Sequence, residues 1–261
     1  RSLGEVGPPP IIPLPRHLKL ESLSYSQIDT FKTCPLKYKY RYVLKVPAQP
    51  HHALTFGQSV HDTLRHFHQL ELKGIKPTLK DLLRLYHHHF HPQGYDSEAH
   101  KQARFISGKK SLRQYFKVYR RLLGQPQELE KSFHLTISGV PLIGKIDRID
   151  KTRQGLEIVD YKTGQSQTKK QVDIDEQLTI YALGAQKALN LDIDSLSLYF
   201  LESNQKVSTT RSATDLKNYF KHLQATVQAI QTSDFPATPG YPFPCNFCEY
   251  NSICPFAAKK R

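Results

Sequence analysis

Apolar residues recur with a helical period over the first half of the chain, and near residue 129 the period changes to two. Ser24 and Ser26 are candidate caps for a first helix carrying Ile28, Phe31, Leu36 and Tyr40. Gln58 to Lys73 predicts a second helix, with Val60, Leu64, Phe67 and Leu70 on one face; Thr78 to Phe90 predicts a third, and His100 to Leu123 a long fourth. The alternating segments Leu129–Ser138, Leu142–Asp150 and Leu156–Lys162 then read as three strands of an antiparallel meander. A helix over Asp173–Leu189, a strand over Leu196–Leu201 and a helix over Thr214–Thr232 follow, with no internal repeat. The order strand-strand-strand-helix-strand-helix predicts a mixed α/β layer plan behind an N-terminal helical region.

The strongest candidate chemistry lies in the second hairpin. Gly144-Lys145-Ile146-Asp147 and Asp160-Tyr161-Lys162 sit on strands joined by Lys151-Thr152-Arg153-Gln154-Gly155, a polar loop with a turn glycine. Asp147 and Asp160 can converge on one point, and Lys162, two residues past Asp160, projects from the same strand face. A salt-bridged hairpin is the bland alternative, since Asp-x-Lys is common. It is weakened by Ile146, Ile149, Ile158 and Val159, because carboxylates at near-core positions are costly unless paired or metal-bound. Two carboxylates and a lysine suit a hard divalent cation beside a cationic group, the requirement of phosphodiester hydrolysis.

Charge narrows the partner. The 261 residues carry a formal net charge of +14, with a sequence pI near 9.5. A polyanion is implied, and nucleic acid is the commonest one. No apolar run approaches the ~20 residues of a membrane span, so the expected setting is cytoplasmic, at the nucleoid. Residues 1–22, with Pro8-Pro9-Pro10-Ile11-Ile12-Pro13-Leu14-Pro15, read as an extended linker. The chain contains no methionine, even at position 1, which suggests a segment of a longer polypeptide with an upstream domain. The expected domain, 23–261, divides into a helical part (23–125), an α/β core (126–232) and a tail (233–261). Arg113, Lys117, Arg120 and Arg121 are candidates for a phosphate-contacting stripe, although solvated helix charges are the commoner outcome.

Four cysteines complete the inventory. Cys245, Cys248 and Cys254 form Cys-x2-Cys-x5-Cys in a proline- and aromatic-rich tail, and Cys34 lies more than two hundred residues upstream. Such spacing suits thiolate ligation of one metal centre, and a tail poor in regular structure needs a staple. Disulfides are disfavoured in a reducing compartment. Zinc and an iron–sulfur cluster both accept four thiolates, and spacing leaves the choice open.

Taken together these residues resemble the PD-(D/E)XK nuclease superfamily, in its RecB-like branch with an iron–sulfur cluster. That branch includes the nuclease domains of AddB, of CRISPR-associated exonucleases and of UvrD-like helicases. Phe56-Gly57-Gln58-Ser59-Val60-His61 resembles the branch's first motif, which ends in a metal-binding histidine. Gly144-Lys145-Ile146-Asp147 resembles the second, although no proline precedes Asp147; Asp160-Tyr161-Lys162 resembles the third, and Gln177-Leu178-Thr179-Ile180-Tyr181 its Gln-x3-Tyr motif. The resemblance implies a restriction-endonuclease-like sheet. It also implies Mg2+ or Mn2+ held by His61, Asp147, Asp160 and the backbone carbonyl of Tyr161, and a 4Fe–4S cluster on Cys34, Cys245, Cys248 and Cys254. The implied activity is DNA hydrolysis, as an exonuclease on single-stranded ends in repair or recombination, with a helicase in the same chain or complex. Lys162 would orient the attacking water or stabilise phosphorane charge, with Gln177 and Tyr181 orienting Lys162 or touching the DNA backbone.

Other residues stay open between two readings. Glu130 could face the site or be a solvated edge charge. His87-His88-His89-Phe90-His91 points around a helix and reads as a polar or DNA-facing surface. Tyr38, Tyr40, Tyr42 and Arg41 could stack on bases or pack around the cysteines. Rival functions are a non-catalytic iron–sulfur DNA-binding scaffold and a zinc-stapled RNA-binding protein.

Overall fold

Five strands form one mixed sheet, in the order β1-β2-β3-β4-β5. The computed structural model describes residues 18–258; residues 1–17 of the expected linker and the basic end Lys259-Lys260-Arg261 lie outside them. Among the described residues the elements run α1 (Tyr25–Thr33), α2 (Pro35–Tyr38), a π-helical turn (Lys39–Val43), α3 (His52–Leu72), α4 (Leu79–His89) and α5 (Glu98–Leu122). They continue with β1 (Gln125–Ile137), β2 (Val140–Lys151), β3 (Leu156–Lys162), α6 (Lys169–Asp173), α7 (Glu176–Ala188), β4 (Ile193–Phe200), β5 (Gln205–Thr209), α8 (Ala213–Gln231) and a 3-10 turn at Cys245–Phe247.

The expected meander is present: β1 pairs antiparallel with β2, and β2 with β3. β3 then pairs parallel with β4, which requires a crossover connection, and α6 and α7 supply it. The result is the expected mixed α/β architecture, consistent with a restriction-endonuclease-like fold. β3 is buried on both faces, as a strand between two helical layers should be. Ile149 and Ile158 pack with α7, α8 and α1 on one side. Val159, Tyr161 and Tyr199 pack with α3, α4 and α5 on the other.

Three details depart from the sequence pattern. The helix expected over Asp173–Leu189 begins later, as α7 at Glu176, because Asp175 is extended and its carboxylate accepts from the Leu178 N–H as an N-cap; the short α6 before it was not expected. β5 was not expected; it is short and polar, pairing antiparallel with β4 at the sheet edge. Leu18 and Leu20, placed in the expected linker, pack against the core, and the Leu18 N–H donates to the Gln231 carbonyl at 2.9 Å.

Two glycines bring α7 close enough to the sheet to matter for the site. A Cβ on Gly144 of β2 would lie 2.1 Å from the Phe133 ring, and one on Gly184 of α7 would lie 2.4 Å from it. Phe133, 1% exposed, therefore fills a slot that only glycine leaves open on both sides. Its burial contributes roughly 1.5–3 kcal/mol and sets the spacing at which α7 side chains reach β3.

Candidate active site

The site forms where strand pairing fails. The β2–β3 ladder runs from Lys151↔Leu156 to Arg148↔Val159 and stops. One step further, Asp147 and Asp160 would face each other. The strands part there, and the Tyr161 N–H, left without a ladder partner on β2, donates to Asp147 Oδ2 at 3.0 Å. A buried N–H must find an acceptor, so the splay itself explains why Asp147 points into the gap.

Two helices converge on this gap from opposite layers. From α3, His61 Nδ1 comes within 3.2 Å of Asp147 Oδ2. From α7, Gln177 Nε2 donates to Asp160 Oδ1 at 3.1 Å and to the Tyr181 hydroxyl at 2.7 Å. Lys162 Nζ donates to Gln177 Oε1 at 2.6 Å and lies 2.7 Å from Asp160 Oδ2. His61, Asp147, Asp160, Lys162, Gln177 and Tyr181, far apart in sequence, are thus one connected cluster.

Electrostatics separates the two acids. Burial pushes the Asp147 carboxyl up, but His61, the Tyr161 N–H and Lys162 outweigh it, and it sits below its ordinary value. Burial also pushes Asp160 up. There the opposing pull of Lys162 is partly cancelled by the Asp147 charge, and the group sits above its ordinary value. Burial disfavours the His61 cation, yet the Asp147 carboxylate overrides it and raises His61 to about 9. Lys162 is raised as well: burial opposes its charge, and Asp160 more than compensates. Cationic His61 and Lys162 thus face the two carboxylates and offset their charge.

The donor set fits such a cation. Asp160 Oδ2 is buried and, despite its 2.7 Å approach to Lys162, has no aligned hydrogen bond. Imidazole nitrogen with carboxylate oxygens suits manganese as well as magnesium. One residue beyond the expected set belongs here too. A Glu130 oxygen, His61 nitrogen and Asp147 oxygen lie within 4.8 Å of one another. Glu130 therefore faces the site, resolving its two readings; Asp160 is outside that trio and is held instead by Lys162 and Gln177.

The remaining candidates fall elsewhere. Arg113, Lys117 and Arg120 occupy the exposed face of α5, opposite buried Tyr115 and Tyr119, and are not brought to the site; Arg120 approaches Glu71 at 3.8 Å. The histidine run is partly structural: His89 stacks on His66 at 4.1 Å, and His91 donates its N–H to Ser59 Oγ at 2.9 Å and meets Asp62 at 3.2 Å. Tyr38 is buried and stacks on Phe235 at 5.9 Å, so it belongs to packing rather than to a base-binding surface. The four cysteines are free thiols and line one small cavity with Leu36 and Tyr40. Cys34 Sγ accepts from the Thr238 N–H at 3.5 Å, and Cys245 Sγ from the Gly240 N–H at 3.4 Å.

Behind the site runs a buried polar network that the strand pattern did not reveal. Arg148 and Asp150, both fully buried, form an ion pair. Arg148 also donates to the Tyr161 hydroxyl at 3.3 Å and the Gly124 carbonyl at 3.0 Å. The chain continues through Tyr115, 2.9 Å from Tyr161, to His68 at 2.6 Å and on to Glu71 at 2.5 Å. The only sequence signal was the density of charge in Asp147-Arg148-Ile149-Asp150, which an exposed edge would show equally.

A mixed sheet that splays around two acids and a lysine, with an imidazole opposite, gathers the donor types that a divalent cation takes. The chain belongs to the PD-(D/E)XK nuclease superfamily, whose sequence profile it matches over residues 22–255. It is similar to the Gene 69 protein of Mycobacterium phage D29, at 24% identity over 91% of this chain and 98% of that protein. It is also similar to the Gene 69 protein of Mycobacterium phage L5, at 22% identity over 89% and 95%. Among solved structures, a protein described as a "Putative exonuclease" from Eubacterium rectale shares the fold, with a TM-score of 0.55 and 12% identity over 92% of this chain and 90% of that one. No helix among the described residues is long and apolar enough to cross a membrane.

Proposed function

We propose that this chain is a metal-dependent DNA exonuclease acting on single-stranded ends. The observation that carries the reading is the convergence of Asp147, Asp160 and Lys162 with His61 at the point where β2 and β3 part. His61, Asp147, Asp160 and the carbonyl of Tyr161 would hold Mg2+ or Mn2+. A cation bound there supplies Lewis-acid charge to the scissile phosphate and makes a nearby water more acidic. Lys162, fixed between Asp160 and Gln177, is placed to orient that water and to stabilise charge on the phosphorane. Gln177 acts through Lys162 and Asp160, and Tyr181 through Gln177. The +14 charge of the chain favours the polyanionic substrate.

The four cysteines sharing one cavity support a 4Fe–4S cluster that clips α1 and α2 to the tail. Soft thiolates and backbone N–H donors to sulfur suit such a centre. The name of the Eubacterium rectale protein favours exonuclease action, and a helicase in the same chain or complex would supply single-stranded ends in repair or recombination. The test is digestion of end-labelled and circular single-stranded DNA in Mn2+ or Mg2+. Release of short labelled products from linear DNA, with circles untouched, is expected; equal cutting of circles would replace exonuclease by endonuclease action.

A further inference from the structure

A large cleft lies at the end of the sheet opposite the candidate site, with a volume of about 1390 Å3. That exceeds the roughly 300–1,000 Å3 of an ordinary small-molecule pocket. Its floor is sheet. Val159 of β3 and Tyr199 of β4 are buried under α3, α4 and α5. Two residues earlier in each strand, on the same face, stand Glu157 and Ser197. Across β5, Lys206 pairs with Tyr199 and Ser208 with Ser197. The helical layer stops short of this polar area, and Glu157, Ser195, Lys206 and Ser208 line the cleft. The floor is neutral in charge, because Lys206 Nζ donates to both Glu157 oxygens, at 2.9 and 3.0 Å.

The rim is not neutral. Lys76 beyond α3, Arg121 at the end of α5, and Lys151 and Arg153 at the β2–β3 turn all line the cleft. All four are exposed, and none forms an ion pair among the described residues. Arg120, also on the rim, is engaged by Glu71 at 3.8 Å. The C-terminal ends of α3 and α5 lie here too, and each opposes an anion by roughly half a charge. Four uncompensated cations outweigh them. α3 and β1 connect the cleft to the candidate site. His61 of α3 and Glu130 of β1 meet at the site, while Leu72 of α3 and Gln125 of β1 line the cleft. His61 to Leu72 spans eleven residues of helix, and Glu130 to Gln125 five residues of strand. At about 1.5 Å per helical residue and about 3.3 Å per strand residue, both routes give roughly 16 Å. A DNA strand rising about 3.4 Å per nucleotide covers that distance in about five nucleotides.

We propose that this cleft anchors the sugar-phosphate backbone of the substrate strand, about five nucleotides from the phosphate being cut, with Lys76, Arg121, Lys151 and Arg153 meeting its phosphates. The inference rests on the nuclease reading for the identity of the strand. The contact is to backbone rather than to bases. Tyr119 is the cleft's one aromatic residue; it is 2% exposed and donates its hydroxyl to Glu71 at 2.8 Å. With no ring free to stack on a base, the anchor accepts any sequence. Binding so far from the reacting phosphate holds substrate and transition state equally, so it lowers KM and leaves kcat alone.

The test combines Lys76→Ala, Arg121→Ala, Lys151→Ala and Arg153→Ala in one protein, with an unchanged melting temperature showing that it remains folded. Binding of a twelve-nucleotide oligothymidylate is followed by anisotropy in Ca2+ over a range of salt. At about 0.7 per phosphate contact on a single strand, the slope of log affinity against log salt should fall by about two to three units. Initial cleavage rates in Mn2+ supply the second reading. KM for the twelve-nucleotide strand should rise roughly tenfold or more with kcat unchanged, while KM for a four-nucleotide strand, too short to reach from site to cleft, should stay the same. An unchanged slope would overturn the inference and leave the nuclease reading standing. An equal rise in KM for both strands would also overturn it, since the cations would then act through overall charge. Tight ATP binding lost in the variant, with the strand's slope intact, would assign the cleft to free nucleotides instead. A reduced slope with no cleavage by either protein would refute the nuclease reading and leave the cleft as a nucleic-acid site.

Discussion

The sheet site and the cysteine tail bring candidate metal ligands together by opposite means. At the site the ligands are positioned by the sheet and by α3 and α7, around side chains that are almost wholly buried, such as Ile149, Ile158 and Leu178. The polar atoms are held by neighbours: His61 by Asp147, Lys162 by Gln177. The tail from Phe235 to Phe256 has little regular structure beyond one 3-10 turn, and it leaves Phe243, Phe247 and Phe256 exposed. A site built on a sheet should keep its shape without metal, whereas a tail closed by thiolates should depend on what they bind. Removing ligands at the two places should therefore separate activity from stability.

The largest effect is expected at Lys162. Lys162→Ala should lower the cleavage rate by about 10²–10³-fold, the range for loss of one charge-stabilising donor. Its melting temperature should fall far less than the rate, because the sheet stays intact and Asp160, already raised by burial, can take up a proton once the ammonium is gone. A large loss of stability with a proportionate loss of rate would make Lys162 a structural residue and collapse the contrast.

The tail should behave in the opposite way. Cys34→Ser should open the proposed clip, which would close more than two hundred residues of chain between Cys34 and Cys245. It should lose iron and an absorbance band near 400 nm, and melt at a lower temperature, while the Asp147–Asp160–Lys162 geometry survives in the fraction still folded. A variant that keeps its colour and its melting temperature would remove Cys34 from the centre.

A smaller effect is expected from the network behind the site. Burial, with the Arg148 charge adding to it, lowers His68 to about 3, although Glu71 pulls the other way. In the unfolded chain its pKa is near 6.5. The folded state thus binds fewer protons between these values. The stability His68 contributes is present above about pH 6.5 and is lost as pH falls toward 3, at roughly 1 kcal/mol per pH unit. Urea midpoints at pH 7.5 and 5.5 should therefore differ more in the wild type than in His68→Gln. Equal differences would mean that His68 is already charged in the folded state.

The smallest effect is expected on α5. Arg113, Lys117 and Arg120 lie on the helix face opposite Tyr115, which is the residue that reaches the site through Tyr161. Each cation that meets a phosphate contributes about 0.9 to the slope of log affinity against log salt. Replacing all three should shift that slope by less than about one unit in Ca2+. A shift near three would place DNA along α5.

The same contrast explains what the sequence could reveal. The β2–β3 hairpin was legible because Ile146, Ile149, Ile158 and Val159 frame the acids in a period of two. His61, Gln177 and Tyr181 were recognisable only through motif resemblance, since nothing in a helix's own pattern says which strand it will meet. Glu130 was undecidable because alternation assumes regular strand backbone, and its positive φ breaks that assumption. Nothing in the sequence singles out Arg148 and Asp150; only the tertiary structure shows that they are buried together. β5 was missed because it is short and polar, and the break before α7 because a cap at Asp175 looks, in sequence, like any acid within a helix.

The central claim is that Asp147, Asp160 and Lys162, with His61, make this chain a metal-dependent nuclease. Its most direct test is cleavage of end-labelled single-stranded DNA in Mn2+ by the wild type and by Asp160→Asn, with binding followed in Ca2+. The account predicts rapid cleavage by the wild type that stops on chelation, and cleavage by Asp160→Asn at a small fraction of that rate with DNA affinity retained. Equal cleavage by both proteins, or cleavage by the wild type that persists in chelator, would contradict it.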